Sequence, residues 1–353
     1  MGKMQTNLGL LTICVFLSML CFGQKDNNSK KLGKVSKLFS TEDVLEVQMA
    51  YSNRDLKKLT NDSTYIDVNL TYLDKDSLSS LPVRVRARGN FRRKNCYFSP
   101  VKMRLKKEYT KKTLFKGNKE LKLVLPCLKE KNANDYIIKE LLAYKLYEVV
   151  SPYHFKTRLL DFTLSEPKGE KVQKHRIRAF FIEDIDELEE RFGGKTMKRN
   201  VHPLQQDSLT SIRNSFFQYM IGNTDFSTGY QHNEKLLFLN GYSIPIPYDF
   251  DMSGLCDVSY SVVSQIDGLV LPLESVTQRL YRGFQRSDTT MELIRDEFMQ
   301  NQENMMAIIE DHKSYFEDEA EFQRSKKYIL GFFNIISNPA KFKSEILDKS
   351  RLR

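Results

Sequence analysis

The chain has 353 residues, of which 41% are hydrophobic and 28% are charged, with 23 Phe and 17 Tyr but only 10 Pro. This composition excludes a disordered, a collagen-like and a small disulfide-stapled protein, and the length fits one large or two modest domains. Lys and Arg outnumber Asp and Glu by 55 to 45, and fifteen of these cations lie between Pro82 and Lys122. Such a basic stretch favours an anionic partner, although a solvated strand face explains it equally well.

Residues 1–23 have the pattern of a cleavable signal peptide. A lysine precedes an apolar run over residues 8–22, and a polar stretch follows. The run is too short for a comfortable membrane span. We therefore predict a secreted or periplasmic protein that is cut after Gly23 and has no transmembrane span, with a lipid anchor at Cys21 as the weaker alternative.

Three cysteines remain after this cleavage, namely Cys96, Cys127 and Cys256. Their odd number, wide spacing and lack of a CxxC motif predict neither a disulfide framework nor a zinc site. No pair of histidines has the spacing of a zinc enzyme, and no Ser or Cys lies in a nucleophile motif. Zinc chemistry and covalent catalysis by Ser or Cys are therefore not expected.

Residues 24–40 are polar and rich in Lys, which predicts a mobile linker. Residues 41–183 are dominated by segments in which apolar and polar residues alternate, and this indicates a mostly antiparallel sheet. The clearest of these segments are residues 65–72, 83–88, 101–105, 121–125, 158–164 and 176–182. One helix, with Asp135 as its predicted N-cap, interrupts the strands.

Residues 184–353 are predicted to be mainly helical. Asp207 is the predicted N-cap of a helix that ends at Gly222, and residues 289–348 form a further helical region. Between these helices, the pair Asn240-Gly241 with apolar segments on both sides predicts a β-hairpin. The pattern therefore predicts an α+β protein with a strand-rich first part and a helical second part.

Four polar residues of the second part follow the order that phosphoryl transfer needs. Asp225 comes after a helix end, Asn233 precedes the predicted hairpin, and Asp249 and Asp251 follow it. A carboxylate at a helix end can orient or deprotonate an acceptor hydroxyl. An amide oxygen and a carboxylate on the two sides of a hairpin can hold Mg²⁺ against nucleotide phosphates.

The chain resembles the CotH family of secreted and spore-coat protein kinases over nearly all of its mature length. The resemblance is carried by residues 86–90 (RARGN), 101–105 (VKMRL), 139–144 (KELLAY), 180–186 (FFIEDID) and 247–251 (PYDFD). It implies a two-lobe protein-kinase-like fold, with a sheet-rich N-lobe at residues 41–183 and a mostly helical C-lobe at residues 184–353.

The resemblance also implies transfer of the γ-phosphate of ATP, with Mg²⁺, to Ser or Thr hydroxyls of a protein substrate. Asp225 matches the catalytic aspartate, Asn233 and Asp249 match the metal ligands, and Asp251 is a candidate ligand of a second metal. Lys102 is implied to bind the α- and β-phosphates of the nucleotide, held by Glu140, and Arg104 is the alternative cation for the same role. The other implied nucleotide-binding residues are Glu183, beside the adenine ring, and Arg88 and Asn90, over the phosphates.

A second class of function stays open, namely a catalytically silent binding or surface-assembly module with the same fold. The joint presence of Asp225, Asn233 and Asp249 favours the enzyme, because a pure scaffold has no need of all three. The supply of ATP outside the cytoplasm is a difficulty for the enzyme. A nucleic-acid partner is not expected, because few aromatic residues are interleaved with the basic ones.

Overall fold

The computed structural model describes residues 33–75, 77–265 and 270–352, with the side chain of Asn90 excepted. The predicted signal peptide at residues 1–23 lies outside the described residues. From Gly33 onwards the described residues form one compact unit. No helix in these three ranges has both the length and the apolar character that a bilayer span requires.

The first half of this unit is a closed β-barrel of seven strands. The strands are β1 (Leu45–Ala50), β2 (Ile66–Asp74), β3 (Ser77–Ala87), β4 (Val101–Leu105), β5 (Glu120–Val124), β6 (Thr157–Lys168) and β7 (Lys171–Glu183). Around the barrel they follow the order β1-β2-β3-β4-β5-β7-β6, and all neighbours are antiparallel except β6 and β1. The helices α1 (Asn53–Leu59), α2 (Asn90–Asn95), α3 (Lys107–Thr110) and α4 (Ala133–Val150) lie in the connections.

The closed barrel contradicts the predicted two-lobe protein-kinase-like fold. A parallel pairing that runs from Leu45↔Leu160 to Ala50↔Ser165 joins β1 to β6. The sheet therefore has no free edge, unlike the open sheet of the predicted N-lobe. Alternation of apolar and polar residues is the same in open and closed sheets, so the sequence predicted strands but not their closure. The coarser prediction of a mixed α+β protein is confirmed.

The barrel interior and the outer face of the barrel belong to two different apolar cores. Leu121 and Leu123 of β5 pack inside the barrel, whereas Val124 packs outside it together with α4. The interior also contains Leu38 and Phe39, which lie in a short 3₁₀ turn. The predicted mobile linker is therefore part of the barrel core at these two residues.

The second half combines helices with a small antiparallel sheet. The helices are α5 (Ile185–Phe192), α6 (Ser208–Met220), α7 (Asp288–Gln300), α8 (Gln302–Asp311), α9 (Glu319–Ile336) and α10 (Pro339–Phe342). The sheet has the order β10-β9-β8, with β8 (Lys195–Met197), β9 (Glu234–Leu239) and β10 (Tyr242–Pro247). Asn240 and Gly241 connect β9 to β10 with φ values of 51° and 87°. Positive φ at both positions is typical of a two-residue type I′ turn, so the predicted hairpin is confirmed.

The two predicted helix caps have different outcomes. Asp207 is the N-cap of α6, because its Oδ1 accepts the Thr210 N–H at 2.9 Å. The prediction for Asp135 is wrong, because α4 begins two residues earlier, at Ala133. Asp135 instead accepts the N–H groups of Glu317 at 2.7 Å and Asp318 at 3.2 Å, and so joins α4 to the start of α9.

Candidate active site

The loop that follows α6 carries Asp225. Just past the end of α6, Gly222 has a φ of 63°, which glycine adopts without strain. A side chain at this position would also clash with the hydroxyl group of Tyr328. Three residues later, Asp225 Oδ2 accepts a hydrogen bond from Asn233 Nδ2 at 3.0 Å. The other oxygen, Oδ1, accepts one from Ser264 Oγ at 3.1 Å. The structure thus brings two of the predicted site residues, Asp225 and Asn233, into direct contact.

The carboxyl group of Asp225 is ionised at neutral pH. Burial raises its pKa, but the His232 ring at 3.3 Å and the hydrogen bonds from Ser264 and Asn233 outweigh burial and lower the pKa below its ordinary value. An ionised carboxylate in a loop can orient a hydroxyl group and take its proton. Because Asn233 uses its amide nitrogen on Asp225, its Oδ1 is the atom that can ligate a cation.

The hairpin formed by β9 and β10 places Asn233 and Asp249 at the same end of the two strands. The N–H of Tyr248 donates to the carbonyl of Asn233 at 3.0 Å. Asp249 follows with a φ of 66°, a left-handed conformation that most residues avoid and that clusters at functional sites. Its N–H donates to Tyr144 Oη at 2.9 Å. Helix α4 therefore holds the backbone of this predicted metal ligand.

Two buried carboxyl groups, Glu140 on α4 and Asp251, surround Arg92 of α2. Arg92 Nη1 lies 3.6 Å from Asp251 Oδ2, which also accepts a hydrogen bond from Tyr260 Oη at 2.9 Å. Burial and the neighbouring charge of Asp249 raise the pKa of Asp251 to about 6. Burial and the charge of Asp251 likewise raise the pKa of Glu140 well above its ordinary value.

Some polar atoms of this cluster are buried without a partner. Among the described residues, Glu140 Oε1, Arg92 Nε and Arg88 Nε have no hydrogen bond although they are shielded from solvent. Folded proteins rarely leave such atoms unpaired, because each costs roughly 1–3 kcal/mol. A polar or charged ligand in the cluster would supply partners for these atoms.

Arg88, predicted to cover the phosphates, belongs to this cluster. It follows β3, where its N–H donates to the carbonyl of Pro100 at 2.8 Å. Its charge acts on Glu140 and on Lys122. Asn90 is the first residue of α2, but its side chain lies outside the described part of the structure.

Lys122 is a cluster residue that the sequence analysis did not predict. It lies on the outer face of β5, opposite to the face that fills the barrel, and its Nζ is 5.0 Å from the ring centre of Tyr248. Burial and the neighbouring charge of Arg88 lower the pKa of its ammonium group to about 8, although Asp184 and Asp249 act in the opposite direction. Lys122 is thus a half-buried cation near the predicted metal ligand Asp249.

Lys102 and Arg104, the predicted phosphate-binding cations, contact Glu120 instead. Lys102 Nζ and Glu120 form an ion pair, and Arg104 Nε lies 2.6 Å from Glu120 Oε1. The structure therefore does not show the predicted pairing of Lys102 with Glu140. Lys102 and Lys122 are directly opposite each other on β4 and β5, and a role of Lys102 in phosphate binding stays a prediction.

Glu183, predicted to lie beside the adenine ring, is bound by the protein itself. Its carboxylate accepts hydrogen bonds from the guanidinium of Arg191 and, at 2.8 Å, from the N–H of Lys156. These contacts join the ends of β6 and β7 to α5. A contact with adenine stays a prediction.

A disulfide bond between Cys96 and Cys127, which the spacing of the cysteines did not predict, fixes α2 beside the cluster. The carbonyl of Cys127 accepts the N–H of Tyr97 at 2.8 Å. Arg92 in turn donates to the carbonyl of Leu125. Covalent and hydrogen bonds therefore join α2 to the segment after β5 and hold Arg92 in place.

The donor atoms of the cluster fit a cation that a substrate helps to bind. Mg²⁺ in phosphate sites takes one or two carboxylates from the protein and further oxygens from the phosphates. Asn233, Asp249 and Asp251 supply such donors, whereas the described residues contain no group of three His, Cys, Asp or Glu side chains able to hold a metal alone.

No protein-family model, curated protein or solved structure matches the chain significantly.

Proposed function

We propose that the protein is a Mg²⁺-dependent phosphotransferase of the CotH type that transfers the γ-phosphate of ATP to Ser or Thr hydroxyls of a protein. The observation that carries this function is that acidic and amide ligands meet half-buried cations in one cluster. Asp225, Asn233 and Asp249 provide oxygen atoms for a metal and an acceptor hydroxyl, and Arg88 and Lys122 provide positive charge for phosphates. This function does not require the protein-kinase-like fold, because unrelated folds can carry the same chemistry.

In this mechanism, Asp225 accepts a hydrogen bond from the acceptor hydroxyl and takes its proton. The hydroxyl oxygen forms a bond to the γ-phosphorus while the bond from phosphorus to the ADP oxygen breaks, so ADP leaves. Lys122 and Arg88 hold the phosphates by charge-assisted hydrogen bonds. Asn233 and Asp249 would hold Mg²⁺, with Asp251 as a ligand of a second ion, and the bound metal supplies charge neutralisation.

We also propose that the protein acts outside the cytoplasm, in the periplasm or as a secreted protein. Disulfide bonds persist in oxidising compartments and are rare in the cytosol. The bond between Cys96 and Cys127 supports this location, in addition to the signal-peptide pattern of residues 1–23.

Incubation of the purified mature protein with radiolabelled ATP and Mg²⁺ tests the proposed function. We expect label to enter the protein itself or a pool of Ser-containing peptides, and EDTA to abolish the incorporation. Binding of ATP without any transfer would favour the silent binding module. The absence of both binding and transfer would contradict the phosphotransferase.

Replacement of Lys122 by Met tests which lysine binds the phosphates. Met keeps the apolar part of the side chain but removes the charge, so we expect the affinity for ATP with Mg²⁺ to fall roughly 10- to 100-fold. Lys102→Met is the matched control, because Lys102 lies opposite Lys122 and its charge is paired with Glu120. Isothermal titration calorimetry compares the two variants, and a larger loss in Lys102→Met would restore the original prediction for Lys102.

A further inference from the structure

A cavity of about 410 Å³ opens beside the loop that carries Asp225. Its wall includes Phe226, Tyr230, His202, Arg282, Phe284 and Arg351, and we call this cavity the acceptor pocket. Phe226 directly follows Asp225 in the chain, and consecutive Cα atoms are about 3.8 Å apart. The wall of the acceptor pocket therefore begins one residue away from the proposed base.

Positive charge dominates the acceptor pocket. Two arginines line it, and none of the described residues in its wall is Asp or Glu. Arg282 donates to the backbone carbonyls of Thr224 and Phe226, so it also fixes the loop on both sides of Asp225. His202 accepts the N–H of Leu204 at Nδ1, at 3.3 Å, which leaves Nε2 as the donor of that ring.

Arg351 is held in the wall of the acceptor pocket by backbone and ring contacts. Its N–H donates to the carbonyl of Gly283 at 3.0 Å, and its carbonyl accepts the N–H of Gln285 at 2.9 Å. Its guanidinium lies 4.2 Å from the ring centre of Phe284. Its Nη2 donates to the carbonyl of Arg282, and the remaining N–H groups of the stacked guanidinium can bind a carboxylate or a phosphate.

We propose that the acceptor pocket binds an anionic side chain of the protein substrate, a carboxylate or a phosphate, next to the hydroxyl that receives the phosphoryl group. This inference names the substrate class of the proposed phosphotransferase and rests on that function. Arg282 is near enough to Asp225 for their charges to attract, so the anion and the hydroxyl are bound by adjoining parts of one surface. The protein thus selects Ser or Thr residues in acidic or already phosphorylated segments.

Fluorescence anisotropy with the full mature chain and no nucleotide measures this binding separately from phosphate transfer. The probes are labelled nonapeptides with a central serine that is flanked by aspartate, phosphoserine, alanine or lysine. We expect at least one anionic peptide to bind about tenfold more tightly than the alanine peptide, and the tighter of the two identifies the anion. Equal binding of all four peptides would overturn the proposal.

Variants of Arg351 test whether the preference arises in the acceptor pocket. Arg351→Gln is expected to remove most of the preference for anionic peptides, and Arg351→Glu to shift it to the lysine peptide. Arg286→Gln is the control, because Arg286 is a neighbouring arginine that donates to the carbonyls of Pro203 and Leu204. An unchanged preference in both Arg351 variants would also overturn the proposal.

Transfer of label from ATP to the same peptides separates this proposal from the phosphotransferase itself. We expect Arg351→Gln to raise KM for the anionic peptide while kcat and the KM for ATP stay unchanged. If anionic peptides bind through Arg351 but receive no phosphate, the anion site is supported and the phosphotransferase is wrong. If all peptides receive phosphate equally well, the anion site is wrong and the phosphotransferase is supported.

Discussion

Replacing Asp225 by Asn is expected to lower the rate of phosphate transfer by roughly two to four orders of magnitude while the affinity for ATP changes little. Asn keeps the size of the side chain and can still accept a hydrogen bond, but it loses the negative charge and the basic oxygen. In the structure the carboxylate is ionised and held by Asn233 and Ser264, which is the state that a proton acceptor needs. Single-turnover transfer and ATP titration, measured on the same sample, separate the two effects.

The matched control for this change is Asp67→Asn, which alters an Asp on β2 whose side chain is 87% exposed. This variant is expected to transfer phosphate at the parent rate. An equal loss of ATP binding and transfer in Asp225→Asn would instead make Asp225 a metal ligand. Full activity in that variant would remove Asp225 from the mechanism and favour the silent module.

Replacing Asp249 by Asn is expected to abolish the improvement in ATP affinity that Mg²⁺ provides, which should be at least about tenfold in the parent. Asn tolerates the φ of 66° nearly as well as Asp does, and the backbone N–H can still bind Tyr144. The variant therefore changes the charge of the ligand more than the shape of the loop. Titration of ATP with and without Mg²⁺ measures the effect.

Thermal unfolding without Mg²⁺ gives an independent result for Asp249→Asn. The charge of Asp249 repels Asp251 and Glu140 but attracts Lys122 and Arg92, so its removal changes both terms and the midpoint should change little. Asp257→Asn is the control, because Asp257 is exposed and also has a positive φ, of 45°. A lower midpoint together with retained Mg²⁺ dependence would show that Asp249 is structural and not a ligand.

Local features of the candidate site could be predicted from the sequence. The end of α6 at Gly222 and the Asn240-Gly241 hairpin are short-range signals, because each depends on the φ values of neighbouring residues. These two signals place Asp225 and Asn233 in adjoining loops. The order of the polar residues along the chain then suffices to expect that they meet.

Features that depend on distant parts of the chain could not be predicted. Closure of the barrel depends on β1 and β6, and the disulfide joins cysteines separated by 31 residues. Lys122 was not predicted for a related reason. The alternation of apolar and polar residues puts both Lys102 and Lys122 on the outer face of the sheet, and it does not show which of the two strands lies beside the site. A lone lysine in the apolar segment 121–125 is the signal that favours Lys122.

The closed barrel also restricts how this protein can associate with other chains. Its seven strands have no edge to which a foreign strand could be added, and the described sheet edges that remain are β8 and β10. Strand β8 has only three residues, and β10 contains Pro245 and Pro247, which lack the N–H groups that a new strand would need. The described strands therefore offer few sites for strand addition, either in assembly or in aggregation.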